Sequence, residues 1–404
     1  MKILLSLLLT SSIIFSACSQ PVSPEKIRAH VSILASDAYE GRGTGAPGGE
    51  KAAAYVESQF KKIGLKPLGD PGSFRQPFTF RGGMHGTGEE GKTMNVAGFL
   101  DNGAKHTIII GAHVDHLGLG NDGSSLDPDP KNKIHNGADD NASGVAGLIE
   151  LARHFAGKPR ERNNFLFLAF SGEELGLYGS KYWTEHPTLD LARVNYMINL
   201  DMVGRYEAAK GLSVSGSGTS PVWEPILKNL GSGKITIKTD SSGTGPSDHT
   251  SFYLKNIPVL HFFTGSHSDY HKPSDDADKI NAEGEAEIMN LIIALINTGQ
   301  TQEKLAFLPT KSKATMARSS FKVTMGVMPS YTADVEGLRV DGVSEGKPAK
   351  KAGIITGDII TRIGDIAVKD IQTYMDALGK FEKGQSVPVE LKRGQEKLTV
   401  TVTF

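Results

Sequence analysis

The chain has 404 residues, enough for two or three domains and for a large enzyme core. A formal net charge of −1 with 22% charged residues excludes the global basic field of a nucleic-acid binder and any acidic tail. Forty-seven glycines indicate many tight loops rather than a helical bundle.

In chain order, MKILLSLLLTSSIIFSAC has a basic start at Lys2, an apolar run from Ile3 to Phe15 and small residues before Cys18. That is a signal-peptide pattern, too short and wrongly flanked for a membrane-spanning helix. Phe15-Ser16-Ala17-Cys18 resembles the bacterial lipobox, with Phe15 where leucine is usual, and Cys18 is the only cysteine. The resemblance implies an exported lipoprotein held in the cell envelope through a lipid on Cys18, on the periplasmic or cell-surface side. SPEKIRAHVSILAS and GGEKAAAYVESQFKKIGL then read as amphipathic helices. MNVAGFLD, HTIIIGAHVD, NNFLFLAF, VNYMINLDMV and IPVLHFF read as strands, with SGVAGLIELARHFA and SPVWEPILKNLG as helices between them. This alternation predicts an α/β fold with a mixed, mainly parallel central sheet sandwiched by helices and function at the strand ends. GEAEIMNLIIALINTGQ closes that unit. The expected division is a leader over residues 1–18, an enzymatic unit over 19–300, a polar linker over 301–320 and a small β-rich unit over 321–404.

Predicted strands and loops carry clusters of histidine and acid: GAHVDHLG (His113, Asp115, His116), NGADDNASG (Asp139, Asp140), SGEELG (Glu173, Glu174), NLDMVG (Asp201) and SDYHKPSDD (Asp269, His271). One such cluster is ordinarily a solvated loop or a helix cap. Several at one edge of a parallel sheet, beside small residues that permit close approach, point to a site. Carboxylates and imidazoles without thiolates suit a catalytic divalent ion such as zinc. The excess of carboxylates points to two ions, because a carboxylate can bridge them. The H-E-x-x-H helix motif of single-zinc proteases is absent.

The ordered motifs AHVDHLG, GADDNASG, SGEELGLYGS, NLDMVG, SDHTSF and YHKPSDD resemble the co-catalytic dizinc aminopeptidases, over about residues 25–300. The resemblance implies a zinc exopeptidase fold and hydrolysis of N-terminal residues from peptides. It places Asp139 between two zinc ions, His113 and Asp201 on one, and Glu174 and His271 on the other. It matches Asp139–Asp140 to a cis peptide bond, assigns Asp115 to orienting His113, and leaves His116 off the metals. Glu173 becomes the general base that takes the proton of the attacking water and hands it to the leaving amine. Tyr270 matches an oxyanion-stabilising tyrosine. Asp248 and His249 read as site support, and His261 and His267 as weaker competitors of His271. Two alternatives stay open: a single-zinc acyl transferase that cyclises N-terminal glutamine, and a metal-free receptor-like protein.

His106, His135, His154 and His186 read as surface residues, and the acidic loop NDGSSLDPDP as solvated, because it lacks calcium-loop spacing. The GxGxxG matches at Gly43 and Gly118 and the GxSxG match at Gly342 lack the strand–helix setting those motifs require. The C-terminal stretch, most specifically KPAKKAGIITGDIITRIGDIAVKDI, resembles a bacterial PDZ domain, which captures extended peptide C-termini by strand addition. Here the carboxylate loop falls at Met325-Gly326-Val327, a departure from the common glycine-rich form. A structural appendage that restricts access to the site is the other reading.

Overall fold

The computed structural model describes residues 21–81, 89–121, 124–158, 161–231, 233–300, 304–310, 323–329, 336–343, 346–369 and 371–404. The expected leader and Cys18 lie outside the described residues. Among those described, no helix is long and apolar enough to cross a membrane.

Helix α1 (Pro24–Leu34) starts at Ser23, whose hydroxyl accepts the Lys26 amide at 3.4 Å, and buries Ile27, His30, Val31 and Leu34 as one stripe. Helix α2 (Pro47–Ile63) opens on a proline and stops at Gly64. Three strands follow, β1 (Lys66–Pro67), β2 (Arg75–Arg81) and β3 (Glu90–Leu100). The centre is then built from β4 (Thr107–His113), α3 (Gly144–Ala156), β5 (Asn164–Phe170), α4 (Tyr178–Glu185) and β6 (Val194–Leu200). After these come β7 (Leu212–Ser215), α5 (Trp223–Leu230), β8 (Ile237–Asp240), α6 (His249–Tyr253), β9 (Val259–Phe263) and α7 (Ala282–Gly299).

The strands form one sheet in the order β1-β3-β5-β4-β6-β9-β7-β8, with β2 paired to β3. The sheet is mixed. β4 runs parallel to β5 and β6, and β6 parallel to β9, while β3 and β7 pair antiparallel on the flanks. Every residue of β4, β5 and β6 is buried, which is why their sequences are near-continuous apolar runs. Ile108 and Ile110 face the cluster built with α1, α2, α3 and α7, and Ile109 faces Trp183 of α4 and Phe252 of α6. Parallel pairing brings the C-terminal ends of β4, β5, β6 and β9 to one edge, where His113, the Glu173–Glu174 turn, Asp201 and the segment leading to His271 emerge.

Residues 304–310, inside the expected linker, lie on this unit. Leu305 is buried and its amide donates to Asn195 Oδ1 at 2.8 Å. The Leu308 amide donates to the Thr219 carbonyl at 2.8 Å, and the Thr310 amide to the Tyr253 hydroxyl at 2.9 Å. The apolar run Leu305-Ala306-Phe307-Leu308 within a polar stretch is the physical reason.

The C-terminal unit is a separate antiparallel sheet of β10 (Val327–Pro329), β11 (Leu338–Val343), β12 (Ile359–Ile363), β13 (Ile366–Ala367), β14 (Ser386–Arg393) and β15 (Glu396–Thr403). Helices α8 (Pro348–Lys351) and α9 (Ile371–Leu378) accompany it. Its core holds Met325, Val340, Ile354, Ile360 and Val389, and the buried Asp358 accepts both Nε and Nη2 of Arg393 at 2.8 Å.

Candidate metal centre

Asp140, rather than Asp139, sits at the centre of the site. Its Oδ1 lies 3.3 Å from His113 Nε2, and its Oδ2 lies 3.3 Å from His271 Nε2. His113 Nε2 is also 3.4 Å from Asp201 Oδ1, and His271 Nε2 is 3.1 Å from Glu174 Oε2. Asp140 thus offers one oxygen to a His113–Asp201 set and the other to a His271–Glu174 set. Donors about 2.0–2.1 Å from a tetrahedral zinc ion lie about 3.3 Å from one another, so these spacings fit that ion. His116 also approaches Asp140 and Glu174. Its Nδ1, however, is 2.7 Å from Glu174 Oε1, a hydrogen-bond length, and 3.8 Å from Asp140 Oδ2. His116 is thus a hydrogen-bond partner of Glu174 and, with Asp140 and Glu174, forms a group that could hold an ion.

The expectation for Asp139 is corrected by one residue, and so is the cis peptide bond, which joins Asp140 to Asn141. The Asp139 side chain turns away from the site. Its Oδ1 accepts the Gly204 amide at 2.7 Å and the Ser143 hydroxyl at 3.1 Å, and its Oδ2 lies 3.2 Å from His267 Nε2. Asp275, from the YHKPSDD motif, fixes this turn: its Oδ2 accepts the amides of Asp139 at 2.9 Å and Asp140 at 3.1 Å, and its Oδ1 pairs with Arg205. Gly137 precedes the turn at φ 55°, and a Cβ there would meet the Asp140 carbonyl and the His116 ring.

The donors are held from behind. Asp201 Oδ2 accepts the Ser247 hydroxyl at 2.6 Å, and Ser247 is itself held by Asn199 Nδ2 at 2.8 Å. His271 Nδ1 faces the Ser124 carbonyl at 3.0 Å. His113 Nδ1 lies 3.2 Å from the backbone carbonyl of Asp115, whereas the Asp115 carboxylate is 3.9 Å away. That carboxylate instead accepts Thr44 Oγ1 at 2.7 Å and the Glu173 amide at 3.3 Å, so it braces the glutamate turn. Tyr270 stacks on His271 with ring centroids 3.9 Å apart. His267 goes to Asp139, and His261 stacks on the buried His249 at 4.5 Å, so neither displaces His271. Asp248 is fully buried.

The neighbouring glutamates differ electrically. Burial, reinforced by Asp201, Asp248 and Glu174, pushes the Glu173 carboxyl well above its usual range against the pull of His113. Burial and Asp140 also act to raise Glu174, but His271 and His116 overcome them and hold it at about 2. Burial raises Asp248 to about 7. His113 and His271 lose charge stability through burial and more than regain it from the surrounding carboxylates.

Arg42 supports the site from below and has no legible motif. It is fully buried, with Nε on the Val114 carbonyl at 2.9 Å, Nη1 on those of Leu34 and Asn136 at 2.8 and 2.6 Å, and Nη2 on that of Gly137 at 2.8 Å. Burial lowers its pKa to about 10 despite the nearby acids Asp140 and Asp275. Arg42→Met leaves those carbonyls without this donor, and the expected loss is about 3 kcal/mol or more in urea denaturation of metal-free protein. Arg42→Lys is expected not to restore it, because one ammonium cannot span the four acceptors. An unchanged unfolding midpoint for Arg42→Met would remove this role.

A model of peptidase family M28 matches residues 95–296, and one of the PDZ domain matches residues 319–404. Among curated proteins, the chain is 30% identical to aminopeptidase YwaD of Bacillus subtilis over 181 residues, covering 42% of this chain and 39% of that protein. It is 27% identical to the probable lipoprotein aminopeptidase LpqL of Mycobacterium tuberculosis, covering 52% of this chain and 41% of that one. The chain thus spans about two fifths of the length of these relatives. In three dimensions it is similar to the zinc aminopeptidase BSAP of Bacillus subtilis, with a TM-score of 0.55, 18% identity, and 71% of this chain and 96% of that one covered. It is similar also to the Porphyromonas gingivalis glutaminyl cyclase, with a TM-score of 0.57, 17% identity, and 69% and 100% covered. At those identities the structures speak for the fold, while the sequence match over half of the chain decides the lineage: the protein belongs to peptidase family M28.

Proposed function

We propose that the chain is a metal-dependent aminopeptidase that uses two zinc ions, with His113 and Asp201 on one, Glu174 and His271 on the other, and Asp140 shared. The observation that carries this reading is Asp140 presenting each oxygen to a separate histidine at 3.3 Å. Two such ions would supply Lewis acidity, lowering the pKa of the attacking water towards about 7 and polarising the scissile carbonyl. The chain's own residues supply the rest. Glu173, outside both sets of donors, holds and moves the proton from the attacking water to the leaving amine. Asp115 fixes the Glu173 turn through its amide. Tyr270, stacked on His271, would donate to the developing oxyanion. The names of YwaD and BSAP, an aminopeptidase and a zinc aminopeptidase, support the substrate class.

The proposed domain division keeps an enzymatic unit before residue 300 and a PDZ unit over 321–404 that takes peptide C-termini. The lipobox pattern at Cys18, together with the name of LpqL, supports an envelope lipoprotein.

Zinc-loaded protein assayed against aminoacyl amides, N-acetylated counterparts and N-terminal glutaminyl peptides tests the activity. Free-amine substrates are expected to be cleaved, chelation to abolish cleavage and zinc to restore it. Equal cleavage of blocked peptides, or cyclisation of glutaminyl peptides without hydrolysis, would overturn the reading.

A further inference from the structure

The loop between the His113 and Asp140 motifs, expected to be solvated, folds back onto His271. The Ser124 carbonyl faces His271 Nδ1 at 3.0 Å, and the Leu126 amide donates to the His271 carbonyl at 2.9 Å. His135, expected at the surface, is fully buried. Its Nδ1 faces the Lys133 carbonyl at 2.9 Å, its Nε2 lies 2.7 Å from Ser125 Oγ, and its amide donates to the Gly118 carbonyl at 2.9 Å.

The proton count determines the arrangement. A nitrogen aimed at a carbonyl must carry hydrogen, so His135 Nδ1 is the protonated one. Burial lowers the ring's pKa and favours its neutral form, so Nε2, 2.7 Å from Ser125 Oγ, takes the hydroxyl proton in preference to the His271 carbonyl, 3.1 Å from the same oxygen. Ser125 Oγ accepts the Asp127 amide at 3.1 Å in turn, and this fixes the chain on both sides of residue 125. At His271 the contact of Nδ1 with the Ser124 carbonyl turns Nε2 toward Asp140 and Glu174.

We propose that His135 and Ser125 are positioning residues for one half of the metal centre, holding the Ser124 carbonyl where it fixes the ring of His271. This rests on the reading of His271 as a metal ligand. The group that meets His271 Nδ1 is backbone from a different loop, so the side chains around His271 do not show the dependence.

The test uses metal-stripped full-length protein titrated with Co2+ and followed by visible absorption. Ser125→Ala removes the hydroxyl with little change in volume and so avoids the folding risk of His135→Ala. One of the two binding steps is expected to weaken about tenfold while the other stays unchanged. His135→Gln, which keeps a donor and an acceptor, is expected to retain more of the affected step than His135→Ala. Two unchanged steps, or two steps weakened together, would overturn the proposal. If the unaltered protein takes up only one Co2+, the two-metal reading fails by itself. The positioning role then stands or falls on whether that single step weakens in Ser125→Ala.

Discussion

Glu173→Gln is expected to retain both metal ions and to lose about 10²–10⁴-fold in kcat, the range for removing a general base. Gln keeps the shape of the side chain and the backbone amide that Asp115 holds at 3.3 Å, so the turn should survive. What disappears is the ability to accept a proton. The two glutamates can stand side by side because their surroundings differ. Two imidazoles hold Glu174 at about 2, while burial and neighbouring acids push Glu173 well above its usual range. Ions beside Glu173 would offset that push and leave a base free of coordination. Near-normal peptidase activity with full metal content would take Glu173 out of this role.

Asp140→Ala is expected to lose both ions, and Asp139→Ala to keep them. Among the described residues, Asp140 has one carboxylate oxygen 3.3 Å from His113 and the other 3.3 Å from His271, so its removal opens the two sets of donors at once. The affinity loss should exceed the 10–100-fold typical of disturbing a partner behind the ligands. Asp139 serves the fold: it holds the Gly204 amide and the Ser143 hydroxyl, and its loss should appear as a lower unfolding midpoint at full metal content. Elemental analysis of the two purified variants decides between them. A metal-free Asp139→Ala beside a loaded Asp140→Ala would reverse the assignment.

Much of this was legible in the chain. The strands over NNFLFLAF and VNYMINLDMV, the helices that cover them, and His113, Glu173, Glu174, Asp201 and His271 at one edge follow from apolar runs that end in polar clusters. Asp139 and Asp140 are not separable in the sequence, because they are identical neighbours and a one-residue step reverses the direction of the side chain. The side-chain contacts separate them: Asp139 Oδ1 accepts the Gly204 amide and the Ser143 hydroxyl, whereas Asp140 turns one oxygen to His113 and the other to His271. The role of Asp115 was misplaced for a related reason: its backbone, not its carboxylate, reaches His113. Backbone acceptors carry no signature in a side-chain pattern, and the same holds for Ser124 behind His271 and for the carbonyls around Arg42. Helices α4 and α6 are too short, at 8 and 5 residues, to show a periodicity.

Residues 304–310 have a mechanical consequence. The chain leaves α7, is pinned at Leu305, crosses to Thr219 and finishes on the Tyr253 hydroxyl, with Thr310 Oγ1 also accepting the Gly243 amide at 3.1 Å. Thr310 is therefore held at Tyr253, the last residue of the helix that begins two residues after Ser247. A load applied to the chain beyond Thr310 is delivered first to the Tyr253 hydroxyl and the Gly243 amide, and reaches α7 only after they yield. Traction on one end of the molecule is thus felt next to the side chain that holds Asp201.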